Sequence, residues 1–320
     1  MNKVQLQAKL ELESATERLD QAMARSFSEY SRSRLQKWLK SGFVTLDGVV
    51  VTSPKQKVFG GEDCVVNGEL AVENKWHAEA IPIDIVYEDE SILVVNKPAN
   101  MVVHPAAGNY QGTLVNGLLH HLPELELIPR AGIVHRLDKD TTGLLVVAKT
   151  LIAHAHLVEQ LKQRTVGRHY VCLVYGPIIS GATVDQPIAR HPINRKLMAV
   201  VANGRTAITH YRVNKKFRDF TLLDVKLETG RTHQIRVHMS WLKHPLVGDP
   251  QYLGRFRKPK GCSERLEGAL KAFNRQALHA RTLELTHPVS GALMSWQVEL
   301  PEDFQNLISI VEQESVNDLS

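Results

Sequence analysis

Apolar and polar positions recur with two different periods along this chain. In TERLDQAMARSF (16–27), Leu19, Ala22, Met23 and Phe27 recur at helical spacing and mark one buried side. A second helix is expected over 32–41, capped by Ser31 and stopped by Gly42. It turns Leu35, Trp38 and Leu39 inward and places Arg34, Lys37 and Ser41 on another face. FVTLDGVVV (43–51) predicts a hairpin around Asp47-Gly48, and EDCVVNG (62–68) one more strand. Periodicity is lost over 69–84. The chain therefore divides into a small unit over 16–75, a linker over 76–84 and a larger domain over 85–320. The larger part is rich in strands: a hairpin in DIVYEDESILVVNKP (84–98), then LLVVAK, YVCLVYG, THYRV and FTLLDVKLE. Helices are expected at 113–121, 151–164, 233–242 and 302–314. Strands and helices do not alternate strictly. An α+β fold with a mixed, largely antiparallel sheet and flanking helices is expected, not a doubly wound parallel one.

Composition narrows this picture. The chain has 320 residues, 43% of them hydrophobic, enough for a sizeable core. No apolar run approaches the roughly 18–20 residues of a membrane span. MNKVQLQAKLELE has no apolar signal segment, and the three cysteines form no CxxC pair, so a cytoplasmic protein with reduced thiols is expected. The net charge of +5 is modest, but its distribution says more. SRSRLQKWLK (31–40) holds four cations and no acid, and RHPINRK, NKKFR and GRFRKPKG repeat the bias. Such acid-free patches favour a polyanionic partner, although each alone fits a solvated face. The N-terminal pattern of RLDQ, SRSR, a glycine and a small hairpin resembles the S4 RNA-binding domain, which implies phosphate contacts from Arg32, Arg34 and Lys37.

AGIVHRLDKDTTGLLVVAK (131–149) sets Asp138 and Asp140 among His135, Arg136 and Lys139, between two apolar runs expected to be core strands. Two acids two residues apart suit a glycosidase pair if the segment is extended. DTTG signals a turn, however, so one working acid and one turn-capping acid is the better reading. No P-loop, HExxH or GxSxG pattern is present, and the histidine pairs lack metal-ligand spacing. His233 and His238 are therefore expected to be ordinary hydrogen-bonded or surface histidines.

HRLDKDTTG, with VVNKP, VVHPAAGN, GRHYVCLVYG, HYRV, LETGRTHQIRVHM and HPLVGDPQYLG, resembles the RluA-type pseudouridine synthase family over nearly the whole chain. The resemblance implies cofactor-free isomerisation of uridine: C1′–N1 cleavage, rotation of uracil and reattachment through C5. It assigns the essential acid to Asp138, its basic partner to Arg236 with Arg231 as rival, and the base-packing tyrosine to Tyr170. Arg136 is implied to fill the space left by the extruded nucleotide; His135 and Asp140 are expected to support the loop. The implied partner is 23S ribosomal RNA or a large-subunit precursor, with the helix 69 stem-loop as target. A monomer without metal is expected. Two other readings remain open: a noncatalytic S4-type RNA-binding protein and a glycosidase built on both acids.

Overall fold

The computed structural model describes residues 2–30, 32–70, 76–105 and 109–317. The chain opens with β1 (Asn2–Lys9), followed by α1 (Leu19–Ser26) and α2 (Arg32–Lys40). Three strands follow: β2 (Val44–Leu46), β3 (Val49–Val50) and β4 (Asp63–Leu70). The strands form one antiparallel sheet in the order β1-β4-β2-β3. Asp47 and Gly48 both have positive φ, as the tight β2–β3 turn requires. The expected cap at Ser31 lies outside the described residues. The alternating run of β1 belongs to this sheet, which thus begins upstream of residue 16. A separate core of Leu19, Met23, Leu35, Trp38, Leu39 and Val66 closes this unit.

The larger unit contains β5 (Ile85–Glu88), β6 (Ile92–Lys97), α3 (Leu114–His121), β7 (Thr142–Ala148), α4 (Leu151–Gln163), β8 (Gly167–Tyr175), β9 (Ala182–Asp185), β10 (Ile188–Arg190) and β11 (Met198–Val200). It continues with β12 (Ile208–Lys216), β13 (Phe220–Leu227), α5 (Gln234–Trp241), α6 (Glu264–Ala272), β14 (Leu278–Thr286), β15 (Leu293–Gln297) and α7 (Glu302–Asn317). The main sheet runs β5-β6-β7-β14-β8-β13-β12-β9, with β15 paired to β14. Only β7 and β14 pair in parallel among the described strands. The fold is thus α+β with a mixed, largely antiparallel sheet.

Alternation places successive side chains on opposite faces. Tyr170, Cys172 and Val174 of β8 join Leu118 of α3 and Ile235 and Met239 of α5. Val171, Leu173 and Tyr175 pack instead with α6 and α7. The partly buried Trp76 and Ile83 pack against the first core, and Asn116 Nδ2 donates to His77 O at 2.7 Å. The stretch expected to be a linker is therefore anchored from residue 76 onward.

Candidate active site

The 131–149 segment is one strand rather than two. Before it, Arg130, Ala131 and Gly132 all have positive φ within a 3-10 turn, and Ile133 makes only an isolated bridge to Val147. Glycines bound the loop where the backbone crowds it. A Cβ on Gly132 would lie 2.0 Å from Ala148 O, and one on Gly143 2.2 Å from Ala280 O. Within the loop Leu137 is buried in the core, Arg136 is exposed, and the Asp138 side chain retains 15% exposure. Thr141 N donates to Asp138 O at 3.1 Å and closes the turn. Beneath it, the buried Lys97 ammonium donates to the carbonyls of Pro98, Met101 and Lys139 at 2.7, 3.0 and 2.9 Å. Arg275, held by Asp303, donates to Asp140 O at 3.3 Å. His135 Nε2 accepts from Val146 N at 3.2 Å. These contacts pin the loop.

The opposing wall is α5. Gln234 accepts from Arg231 N and Thr229 Oγ1 and donates to Ile208 O and Thr209 Oγ1, fixing the first turn of the helix. Arg236, one half-turn on, is 4% exposed. Its Nη1 donates to Asp138 Oδ2 at 2.9 Å. Nε and Nη2 grip the fully buried Asp249 at 2.7 and 2.9 Å, and Nη2 also reaches Gln251 Oε1 at 2.9 Å. The Tyr252 ring lies 5.0 Å from the guanidinium carbon. Burial opposes the Arg236 charge, but Asp249 and Asp138 outweigh it and raise the pKa above the ordinary arginine range. A bidentate carboxylate fixes the plane of the guanidinium. Arg236 thus meets Asp138 already oriented.

Asp138, Arg236, Arg136, Arg231 and Tyr170 line one cleft of about 780 Å³. Arg231 Nε bonds Thr206 O at 2.9 Å, and no ion pair joins Arg231 to Asp138 among the described residues. Tyr170 is 6% exposed; burial pushes its hydroxyl pKa up, and Asp138 adds to that shift. Arg130, Lys162, Arg168 and Arg205 add four more cations, so Asp138 is the one carboxylate among seven cationic side chains in the lining. Such a cleft favours a polyanion and concentrates catalytic potential on a single acid. Asp140 is not in the lining, which counts against a two-acid mechanism. No three His, Cys, Asp or Glu side chains converge as a metal site among the described residues.

The N-terminal candidates sit elsewhere, and two of the three are engaged within the protein. Arg32 pairs with the fully buried Asp20 at 2.7 Å, and Asp20 also takes Arg18 at 3.0 Å and a close contact from Gln36. Lys37 is exposed. Arg34 is 8% exposed rather than sharing an open face with Lys37. It lies close enough to His154 of α4 to depress that imidazole, after burial and Arg130. The helical period placed Arg34 off the inward face of α2, yet its side chain is buried. Sequence reasoning set His233 aside as an ordinary histidine and passed over Asp249 and Tyr252. They stand in the quoted THQIR and GDPQY stretches, but only folding brings them to Asp138.

Residues 91–241 match the RNA pseudouridylate synthase family, and residues 17–64 match the S4 domain. The ribosomal large subunit pseudouridine synthase D of Pseudomonas aeruginosa is 54% identical over 311 residues, covering 97% of each chain. The Escherichia coli K12 protein of that name is 52% identical over 309 residues, covering 97% of this chain and 95% of its own. Among solved structures, human RNA pseudouridylate synthase domain containing 1 aligns with a TM-score of 0.56 at 26% identity. The alignment covers 73% of this chain and 89% of that one.

Proposed function

This chain belongs to the RNA pseudouridylate synthase family, and from that premise we propose that its substrate is 23S ribosomal RNA, at the helix 69 stem-loop. The observation that carries the reading is Asp138, held by Arg236 at the floor of a cleft walled by cations. The uridine must leave its helix to reach this floor, at a cost of a few kcal/mol. Arg136, exposed at the cleft, takes the vacated space, where a guanidinium both stacks on bases and pairs with phosphate. Asp138 then assists departure of uracil from C1′. Arg236 occupies Oδ2, which leaves Oδ1 to face the sugar. The freed uracil turns against Tyr170 and re-forms its bond through C5; the C5 proton is lost and N1 ends protonated, so atoms balance. Tyr170 supplies the packing surface and the hydroxyl near the exchanging proton.

The N-terminal unit contributes affinity and selectivity through α2, while the larger unit carries the chemistry. The protein works as a monomer in the cytoplasm, without cofactor, on the RNA or its precursor subunit. A noncatalytic RNA binder would have no use for a pinned Asp138–Arg236 pair, and the similarity to synthases over 97% of the chain sets that reading aside. Asp138→Asn tests the proposal. Tritium release from C5-labelled helix 69 RNA should fall to background while RNA affinity stays within about threefold, because one carboxylate carries the chemistry and many cations carry the binding. Substantial turnover by the mutant would move the acid elsewhere. Persistence of these pseudouridines in cells lacking the protein would overturn the substrate.

A further inference from the structure

The two oxygens of Asp138 have different surroundings. Oδ2 accepts from Arg236 Nη1 at 2.9 Å, whereas Oδ1 faces His233 Nε2 at 3.8 Å, beyond hydrogen-bond reach. His233 immediately precedes α5 with φ 57°, in the left-handed region that non-glycine residues rarely adopt. That bend aims the imidazole into the cleft. Its Nδ1 lies 2.8 Å from Tyr252 Oη, and Met198 N donates to the same hydroxyl oxygen at 2.9 Å. With the backbone N–H on a lone pair of Oη, the hydroxyl hydrogen is free to point at Nδ1. In the tautomer that uses this donor, Nδ1 is the acceptor. A neutral imidazole carries one proton, so it sits on Nε2, directed at Asp138.

We propose that His233 is a positioning residue for the isomerisation. Its Nε2–H, held in that tautomer by Tyr252, orients Oδ1 of Asp138 toward the sugar. The neutral N–H dipole aligns the oxygen without adding a second cation beside it, so the carboxylate keeps its charge for the reaction. Arg236 fixes one edge of the carboxylate and His233 limits swing of the other. Tyr252 also serves Arg236 through its ring, so one side chain braces both partners of Asp138.

The inference rests on Asp138 as the working acid, and the variants separate the two ideas. With C5-tritium release from helix 69 RNA, His233→Ala should lower kcat about 10²-fold, as a misplaced reacting group does, while KM stays within about threefold. His233→Gln, whose amide N–H reaches the position of Nε2, should recover much of that loss. Tyr252→Phe keeps the ring and its stacking but removes the hydroxyl; it should lower kcat about tenfold, and it decides the matter even if His233→Ala folds poorly. Because Tyr252 acts through His233, the double variant His233→Gln/Tyr252→Phe should lose little beyond its worse parent. Wild-type kcat in Tyr252→Phe, a change confined to KM, or fully additive losses would overturn the inference while leaving Asp138 in place. An active Asp138→Asn would instead remove the reading beneath it.

Discussion

His135 illustrates how a conspicuous histidine beside an acid can be structural. Its Nε2 accepts the Val146 N–H, so the ring is neutral with its proton on Nδ1. Burial, reinforced by Arg168, pushes its pKa from 6.5 down to about 3. Between those values the unfolded chain binds a proton that the folded chain refuses. Stability from this residue is therefore complete above pH 6.5 and drains away as pH falls toward 3. Between pH 7 and pH 5 the loss amounts to about 2 kcal/mol. His135→Gln retains an acceptor for Val146 N but cannot titrate. Denaturant unfolding at the two pH values should show the mutant losing about 2 kcal/mol less than the parent over that interval. An equal loss in both proteins would mean that His135 is protonated in the folded state.

At the scale of the element, α2 separates charges that look alike in sequence. Leu35, Trp38 and Leu39 fix its inward face, Arg32 is committed to Asp20, and Arg34 is covered. Lys37 and Lys40 are exposed and are the residues of this helix suited to phosphate contact. Each phosphate contact contributes about 0.7 to the slope of log affinity against log salt for single-stranded RNA. Replacing Lys37 and Lys40 with alanine should thus lower the slope by about 1 to 1.5 units, read from titrations at several salt concentrations. Turnover at saturating RNA should barely change. Arg34→Ala should reduce thermal stability more than the slope. An unchanged slope in the lysine variant would assign RNA retention to the larger unit.

For the whole molecule, the N-terminal core shares no residue with the clusters built on the large sheet. The large sheet closes both of its faces with its own helices. Removing residues 1–75 exposes little of that sheet, since Trp76, the first described residue packed against it, is retained. Residues 76–320 should give a native circular dichroism spectrum and a single cooperative melt, with weaker RNA binding and kcat largely kept. The nearness of Arg34 to His154 of α4 predicts a modest drop in melting temperature. A molten product would show that the two units fold as one.

Local pattern determined the elements whose stabilising contacts are close in sequence. The periodic runs of α1, α2, α3, α4 and α7 stand near their expected bounds, as do the 43–51 and 84–98 hairpins. Strand β14 was legible as the alternation LHARTLELT yet passed over; its place between β7 and β8 depends on pairing with residues more than a hundred positions away. The run before HRLD, expected to be a strand, turns instead because Gly132 packs against Ala148. At the site, the motif by itself singled out Asp138, Tyr170 and Arg236 through resemblance, since side-chain types survive in sequence. It could not say that Arg236 rather than Arg231 touches Asp138. Nor could it reveal Asp249 and Tyr252 behind Arg236, or the left-handed turn that aims His233 at Oδ1. The contacts of Arg236 and His233 with Asp138 join segments about a hundred residues apart, and those behind Arg236 depend on how the loop after α5 folds back, so only tertiary packing decides them.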